Sequence, residues 1–305
     1  MIQKIRMNNN TQNLTDDNFR NALVNGIRAG EHFKLNMPIG IFDGNSGIKS
    51  GISVGNSLDF MEHRDYFSGD DLRQIDWNVY ARTDKLTVKL FHQEVSPSID
   101  IIIDSSASIS ASGNKKVNAV LSIAALLTQA ALNSSYRIQV WRCSSNGFTL
   151  LDNAKSSPLL WGKFNFSETI SPVELINKAL PPFYSNGLRI LISDLLFPDE
   201  PKLFASRFSL NSSASIIVQV LSENEINPEI HGNLTLTDSE TNEERELHVN
   251  NEVLQRYKNR LNNHRQSWSD AARQFSILFT SITAESFIQK PIIEELIRNE
   301  VLQII

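Results

Sequence analysis

The sequence predicts an α/β fold: a mostly parallel sheet with helices on both faces, plus an N-terminal β-rich or irregular segment. Three observations predict it. From residue 98 onward, short β-branched runs alternate with amphipathic stretches of helical length. The runs are almost continuously apolar, as strands covered on both faces are. Two of them stop at a carboxylate, Asp104 and Asp194, where a strand hands over to a loop.

Taken in order, residues 1–13 are polar and Asn-rich and are expected to fray. Thr15, Asp16 and Asp17 offer N-caps for a helix over about 17–29, with Phe19, Leu23, Val24 and Ile27 at helical spacing and Gly30 as its stop. Residues 38–58 carry Gly40, Gly44, Gly47, Gly51 and Gly55, which predicts short strands and turns. A phosphate-cradling loop is the sharper reading there and is disfavoured, because no Gly-Lys-Ser/Thr follows and no helix opens. Residues 59–97 combine dense charge with Phe60, Tyr66, Phe67, Trp77, Tyr80 and Phe91, a mixture that predicts an ordered surface segment and not a linker.

Ser98–Asp104 reads as a buried strand through Ile99, Ile101, Ile102 and Ile103. A helix over 115–133 follows, with Val117, Val120, Leu121, Ala124, Leu127 and Leu132 on one side. Further strands are expected at Tyr136–Trp141, Leu188–Ser193, Ser215–Leu221 and Phe275–Thr280, and a hairpin at Leu234–Thr237 with Arg245–Val249. Helices are expected over 172–180, with Pro172 in the first turn, over 251–273 and over 291–303. The organisation read from this is an N-terminal segment, 1–95, and an α/β domain, 96–305.

The 305 residues are 41% hydrophobic and 21% charged, ordinary values for a chain with a real core. A net charge of -5 argues against non-specific nucleic-acid binding, which needs clustered basic surface. One cysteine, Cys143, excludes an internal disulfide and a cysteine-rich zinc site, and it reads as an inert buried thiol at a strand end. No apolar run approaches the roughly 20 residues that span a bilayer, and no secretory signal is present, so a cytoplasmic protein without a membrane span is expected.

The residues that carry chemistry sit at the strand ends. In an open parallel sheet, ligands bind beyond the carboxyl ends of the strands. Asp104 is followed by Ser106 and Ser108, hydroxyls that a turn can aim at one spot, and Asp194 ends a second strand. One carboxylate, two hydroxyls and a second carboxylate are hard oxygen ligands suited to Mg²⁺ or Mn²⁺. The bland account is that both serines cap the next helix while Asp104 only orders its turn. An aspartyl-nucleophile phosphatase is disfavoured because Ser106 stands where the second carboxylate is wanted. A serine nucleophile is disfavoured because none of His32, His63, His92, His231, His248 and His264 falls at an expected strand end beside Asp104 or Asp194.

The stretch Asp59-Phe60-x-Glu62-x-Arg64-x-Tyr66-x-x-Gly69-Asp70-Asp71-x-Arg73-x-Ile75-Asp76-Trp77-x-x-x-Ala81-Arg82, then Leu86-x-Val88-Lys89-x-Phe91-x-x-Glu94, resembles the signature of the domain of unknown function family 58. Further matches are Asp104-x-Ser106-x-Ser108, Ser193-Asp194, Glu225 near Pro228 and Gly232, and Leu236-x-Asp238-x-Glu240-Thr241. The resemblance implies a von Willebrand factor A-like (Rossmann-like) domain with a metal-ion-dependent adhesion site. It implies a partner, a MoxR-type AAA+ ATPase, and chaperone-like assembly or maturation of an unidentified protein client. Carried over by position, the metal residues are Asp104, Ser106, Ser108 and Asp194. The middle loop falls in Ser167-Glu168-Thr169-Ile170-Ser171, with Thr169 the preferred ligand.

Arg64, Asp70, Asp71, Arg73, Asp76 and Arg82, with Trp77 among them, form the charged signature. Ion pairs that lock the segment to the main domain are one account, and a docking surface for the ATPase is the other. The expected function is therefore non-enzymatic, metal-assisted protein binding. A metal-free scaffold docking through 62–82 and a metal-dependent hydrolase are the alternatives.

Overall fold

A computed structural model describes residues 5–6, 15–37, 60–91, 97–153, 156–179, 181–197, 200–238 and 244–305. The expected short strands of the Gly-rich stretch 38–58 lie outside the described residues. The chain divides into two compact units, Met1–Ile41 with Pro97–Ile305, and Phe42–Ser96. The N-terminal helix therefore belongs with the large unit, not with the signature segment of a 1–95 domain.

The large unit opens with β1 (Ile5–Arg6), α1 (Asp16–Gly30) and β2 (Phe33–Leu35), and the small unit holds β3 (Phe60–Asp65), α2 (Trp77–Thr83) and β4 (Thr87–Phe91). The large unit resumes with β5 (Ser98–Ile103), α3 (Ala107–Ala111), α4 (Asn114–Asn133), β6 (Arg137–Ser144), β7 (Gly147–Asn153), α5 (Pro172–Lys178) and β8 (Gly187–Ser193). Then come α6 (Pro201–Phe208), β9 (Ser212–Leu221), α7 (Glu223–Ile226), β10 (Gly232–Asp238), β11 (Glu244–Val249) and α8 (Asn251–Gln274). The chain closes with β12 (Ile277–Thr283), α9 (Ala284–Gln289), α10 (Glu294–Arg298) and β13 (Leu302–Ile304).

Six strands form the central sheet in the order β12-β9-β8-β5-β6-β7. All neighbours pair in parallel except β7, which folds back antiparallel on β6. The β-branched run Ile99–Ile103 makes β5 a strand, and its central place explains why every residue of it is buried. Ile102, Leu191 and Ile217 share one face with Ile176 of α5, Phe204 of α6 and Trp268 of α8. Strand alternation sends Ile101 and Ile103 to the opposite face, where α4 lies against β5, β6, β8 and β9. Helices thus cover both faces.

Helix α1 covers α4 at close range. A Cβ on Gly26 would stand 2.2 Å from the Ser122 carbonyl oxygen, and one on Gly30 would stand 2.6 Å from that of Leu126. These two glycines, four residues apart, let the backbones approach.

The expected helix over 291–303 is not formed as one element. Helix α10 ends after one turn, Glu300 turns into the left-handed region at φ 57°, and Leu302–Ile304 pairs antiparallel with β2. The expected fraying of residues 1–13 is also revised at Ile5 and Arg6, which pair with Asp238 and Thr237 of β10. Strand β7 and helix α6 are short, and neither was expected.

Candidate functional site

Strands β5 and β8 are direct neighbours, with Ile103 opposite Ile192. Chain order reverses here: β6 lies on one side of β5 and β8 on the other. The edge beyond their carboxyl ends is the switch point, the place at which sheets of this kind take ligands. The Asp104 N–H donates to the Ile192 carbonyl at 3.0 Å, so the first loop leaves the sheet still tied to β8.

Asp104 is fully buried. Its Oδ1 accepts from the Ser106 N–H at 2.8 Å, and its Oδ2 accepts from the Ser193 hydroxyl at 2.6 Å. The first bond orders the turn; the second joins it to β8. Ser106 and Ser108, also buried, have hydroxyl oxygens 2.9 Å apart. That is near the spacing of neighbouring oxygens around an ion whose ligands sit at about 2.1 Å. Ser106 makes no side-chain cap on α3. The account in which both serines only cap the following helix therefore fails for Ser106.

Asp194 is equally buried. Its Oδ1 accepts from the Leu196 N–H at 3.1 Å, and its own carbonyl accepts from Gln219 Nε2 at 3.1 Å. Gln219 in turn accepts from the Ser281 hydroxyl at 3.0 Å, so β9 and β12 both brace this loop. Leu195 follows in the left-handed region at φ 56°, an outlier for a bulky residue. Its N–H reaches Ser193 Oγ at 3.0 Å, and its buried side chain joins the core cluster that holds the strained turn.

The remaining acceptor of Asp194 faces a lysine. Lys116 Nζ lies 2.8 Å from Asp194 Oδ2 and 2.7 Å from Glu225 Oε1, with the Ser108 carbonyl at 3.4 Å. Neither Lys116 nor Asp194 exposes any side chain. Burial disfavours the ammonium, but the charges of Asp194 and Glu225 and the bonds to them outweigh it and raise its affinity for its proton above the ordinary lysine value. Glu225 uses its other oxygen, Oε2, to accept from the Ser222 N–H at 2.8 Å, closing a capping box on α7. Tyr257 of α8 donates to the Glu225 carbonyl at 2.8 Å. One ammonium thus connects the first loop, the third loop (the one after β8 that carries Asp194), α7 and, through Glu225, α8.

The middle loop runs beside the first. Ser106 and Glu168 form an isolated parallel bridge; the Glu168 N–H donates to Ser105 O at 3.1 Å and Ala107 N–H donates to Glu168 O at 2.8 Å. The Glu168 carboxylate accepts from the Ser145 N–H at 2.8 Å and from the Ser145 hydroxyl. Thr169 is the next residue and is exposed. Ser171 caps α5 by accepting from the Glu174 N–H at 3.1 Å. Cys143 is buried at the end of β6, and its carbonyl accepts from the Ser105 hydroxyl. Burial and the nearby charge of Asp104 push its thiol well above the usual range, which fits the inert reading.

The charged signature lies in the small unit. Arg64 Nη2 donates to both carboxylate oxygens of Asp70, at 2.8 and 2.9 Å, and Asp70 also accepts from the Phe67 N–H. Asp71 accepts from the Arg73 N–H and Nε, at 3.0 and 3.2 Å. Asp76 caps α2 through the N–H groups of Asn78 and Val79 and bonds His63 Nε2 at 2.8 Å, with Lys89 at 3.4 Å. These pairs join the segment to itself. Arg73, Trp77 and Arg82 are exposed, Arg82 in the last turn of α2 where a cation suits the helix dipole.

The donor set around Asp104 is chemically suited to Mg²⁺ or Mn²⁺, whereas Asp194 is already engaged by an organic cation. Among the described residues no group of three or more His, Cys, Asp or Glu is placed to hold a metal. Lys116 and Glu225 are the residues that sequence reasoning missed as site members. The available signal was Lys116 itself: it stands on the apolar row of α4 with Val120, Ile123 and Leu127, where a charge needs a buried partner.

No helix among the described residues is long and apolar enough to cross a membrane. No curated protein matches the chain. Among solved structures, the conserved hypothetical protein BatB from Bacteroides thetaiotaomicron is 11% identical with a TM-score of 0.34, covering 67% of this chain and 99% of its own. An aerotolerance-related membrane protein from Bacteroides fragilis, carrying multiple mutations to serines, is 11% identical with a TM-score of 0.33, covering 67% and 100%. Residues 62–159, which run from the charged signature through the first loop and Lys116, match the family model described as Protein of unknown function DUF58.

Proposed function

We propose that the chain is a non-enzymatic protein-binding module with a von Willebrand factor A-like core. Asp104, Ser106 and Ser108 would hold Mg²⁺ or Mn²⁺, with exposed Thr169 on the neighbouring middle loop, while Asp194, expected from the sequence in the same set, is paired with Lys116. Bound there, the ion supplies a Lewis-acidic seat for an acidic side chain of a partner. The observation that carries this reading is the pair of buried hydroxyl oxygens 2.9 Å apart beside a buried carboxylate, at the switch point of the sheet. The partner is a MoxR-type AAA+ ATPase acting in the cytoplasm on a protein client, and the ATPase supplies the nucleotide chemistry. Because Asp104, Ser106, Ser108 and Asp194 are all buried, capture of a partner requires the loops to shift. That shift is what an ATPase cycle can drive or read.

The test is calorimetric titration of Mg²⁺ and Mn²⁺ into the wild type and Asp104→Ala, followed by pull-down of the ATPase with each. Saturable heat that the variant lacks, with matching loss of capture, supports the reading. No heat from the wild type at millimolar metal sinks it.

A second reading, a metal-free scaffold that docks through residues 62–82, is favoured by Trp77 at 60% exposure and Arg73 with 90% of its side chain exposed. Arg73→Glu with intact folding and lost capture would select it.

A further inference from the structure

The ammonium of Lys116 is surrounded as an ion would be. Two carboxylate oxygens stand within 2.8 Å of one nitrogen, and a carbonyl stands at 3.4 Å. These three acceptors match the three donors of an ammonium. The two carboxylates come from different loops, after β8 and after β9, and each is also held by its own loop, Asp194 by the Leu196 N–H and Glu225 by the Ser222 N–H and the Ser112 hydroxyl, so the ammonium sits between two carboxylates that are already fixed. A divalent ion placed there would draw on the same oxygens at about 2.1–2.6 Å. It and Lys116 cannot occupy that point together.

We propose that Lys116 is the resident counter-ion of the third loop: its ammonium keeps a divalent ion off Asp194 and Glu225 and confines metal to Asp104, Ser106 and Ser108. The exclusion stands on the lysine geometry alone; the confinement to the first loop rests on the metal-assisted reading above. Lys116 is on this account a positioning residue. It bridges the two carboxylates without itself touching a partner, and it ties the first loop to α7 through the Ser108 carbonyl and Glu225.

The experiment is Mn²⁺ titration of the wild type, Lys116→Met, Asp194→Asn and the double variant. Lys116→Met is expected to bind Mn²⁺ at least ten-fold more tightly than the wild type, or to gain a site where the wild type has none. The double variant is expected to lose that gain. Asp194→Asn alone is expected to leave wild-type affinity within about three-fold. Unchanged or weaker binding by Lys116→Met overturns the proposal, as does a loss in Asp194→Asn as large as that in Asp104→Ala. Should Lys116→Met fold poorly, the readout is refolding: recovery in millimolar Mn²⁺ supports the proposal and no recovery overturns it. The two readings separate cleanly. Gain in Lys116→Met with a silent wild type sinks the metal-assisted reading and keeps this one. Asp104-dependent binding with no gain in Lys116→Met does the reverse.

Discussion

Lys116 and Asp194 form an ion pair at 2.8 Å with both side chains fully removed from solvent. A buried pair is weak support for stability while intact, but removing one partner leaves the other charge uncompensated. Lys116→Met is therefore expected to cost about 3–5 kcal/mol in metal-free buffer. Neutralising Asp194 as well, in Lys116→Met/Asp194→Asn, should recover part of that loss. Denaturant midpoints of the three proteins decide it; a double variant less stable than Lys116→Met would contradict the pairing.

Asp104 has a structural duty independent of any metal. Its carboxylate accepts one backbone and one hydroxyl bond, and both donors are buried. Asp104→Ala leaves them without that acceptor, which costs roughly 1–3 kcal/mol per unsatisfied group. Asp104→Asn keeps the shape and one acceptor and should cost less. Melting curves in chelator measure this cost, and the same variants in Mg²⁺ then isolate the metal contribution. Equal stability of Asp104→Ala and the wild type in chelator would show that the turn does not depend on Asp104.

The sheet was legible because its strands are β-branched and nearly uniform: Ile99–Ile103 and Leu188–Ser193 announce burial without structural help. Their carboxyl ends were legible for the same reason, which is why Asp104 and Asp194 could be placed on one edge. The antiparallel edge strand β7 was not, since Gly147–Asn153 has neither alternation nor a uniform apolar run. The C-terminal strand was hidden because residues 291–303 mix helix formers with a short pairing partner far away in sequence, Phe33–Leu35. Lys116 was hidden by its neighbour. Lys115-Lys116 looks like a solvated start of α4, and only the register of Lys116 with Val120, Ile123 and Leu127 marks which of the two turns inward.

Gly26 gives a packing prediction with opposed terms. Alanine in a helix interior is favoured over glycine by about 0.8–1.0 kcal/mol. Here, however, the added methyl meets the Ser122 carbonyl oxygen at 2.2 Å and the Ala125 Cβ at 2.7 Å. Backbone of α4 cannot yield as a side chain would, and overpacking costs typically about 1–3 kcal/mol. Gly26→Ala is expected to destabilise the protein despite its better helix propensity. A higher melting temperature for Gly26→Ala would show that α1 can move off α4 at little cost.

Asp76 gives a pH prediction whose sign follows from its setting. The bond to His63 holds its carboxyl low, burial opposes this, and the Val79 and Asn78 N–H groups and the charge of Lys89 add to the lowering, which brings it from 3.8 to about 2. A carboxylate depressed in the folded state stabilises it above the ordinary value and loses that contribution as pH falls through the folded one. The stabilisation from Asp76 is therefore complete above pH 3.8 and lost toward pH 2. Asp76→Asn removes this titration while keeping an acceptor for the cap on α2. The stability difference between wild type and Asp76→Asn should shrink steadily across that interval and stay constant above it. Denaturant midpoints taken from pH 5 down to pH 2 measure it, and a difference that does not change with pH would show that Asp76 is not held ionised by these partners.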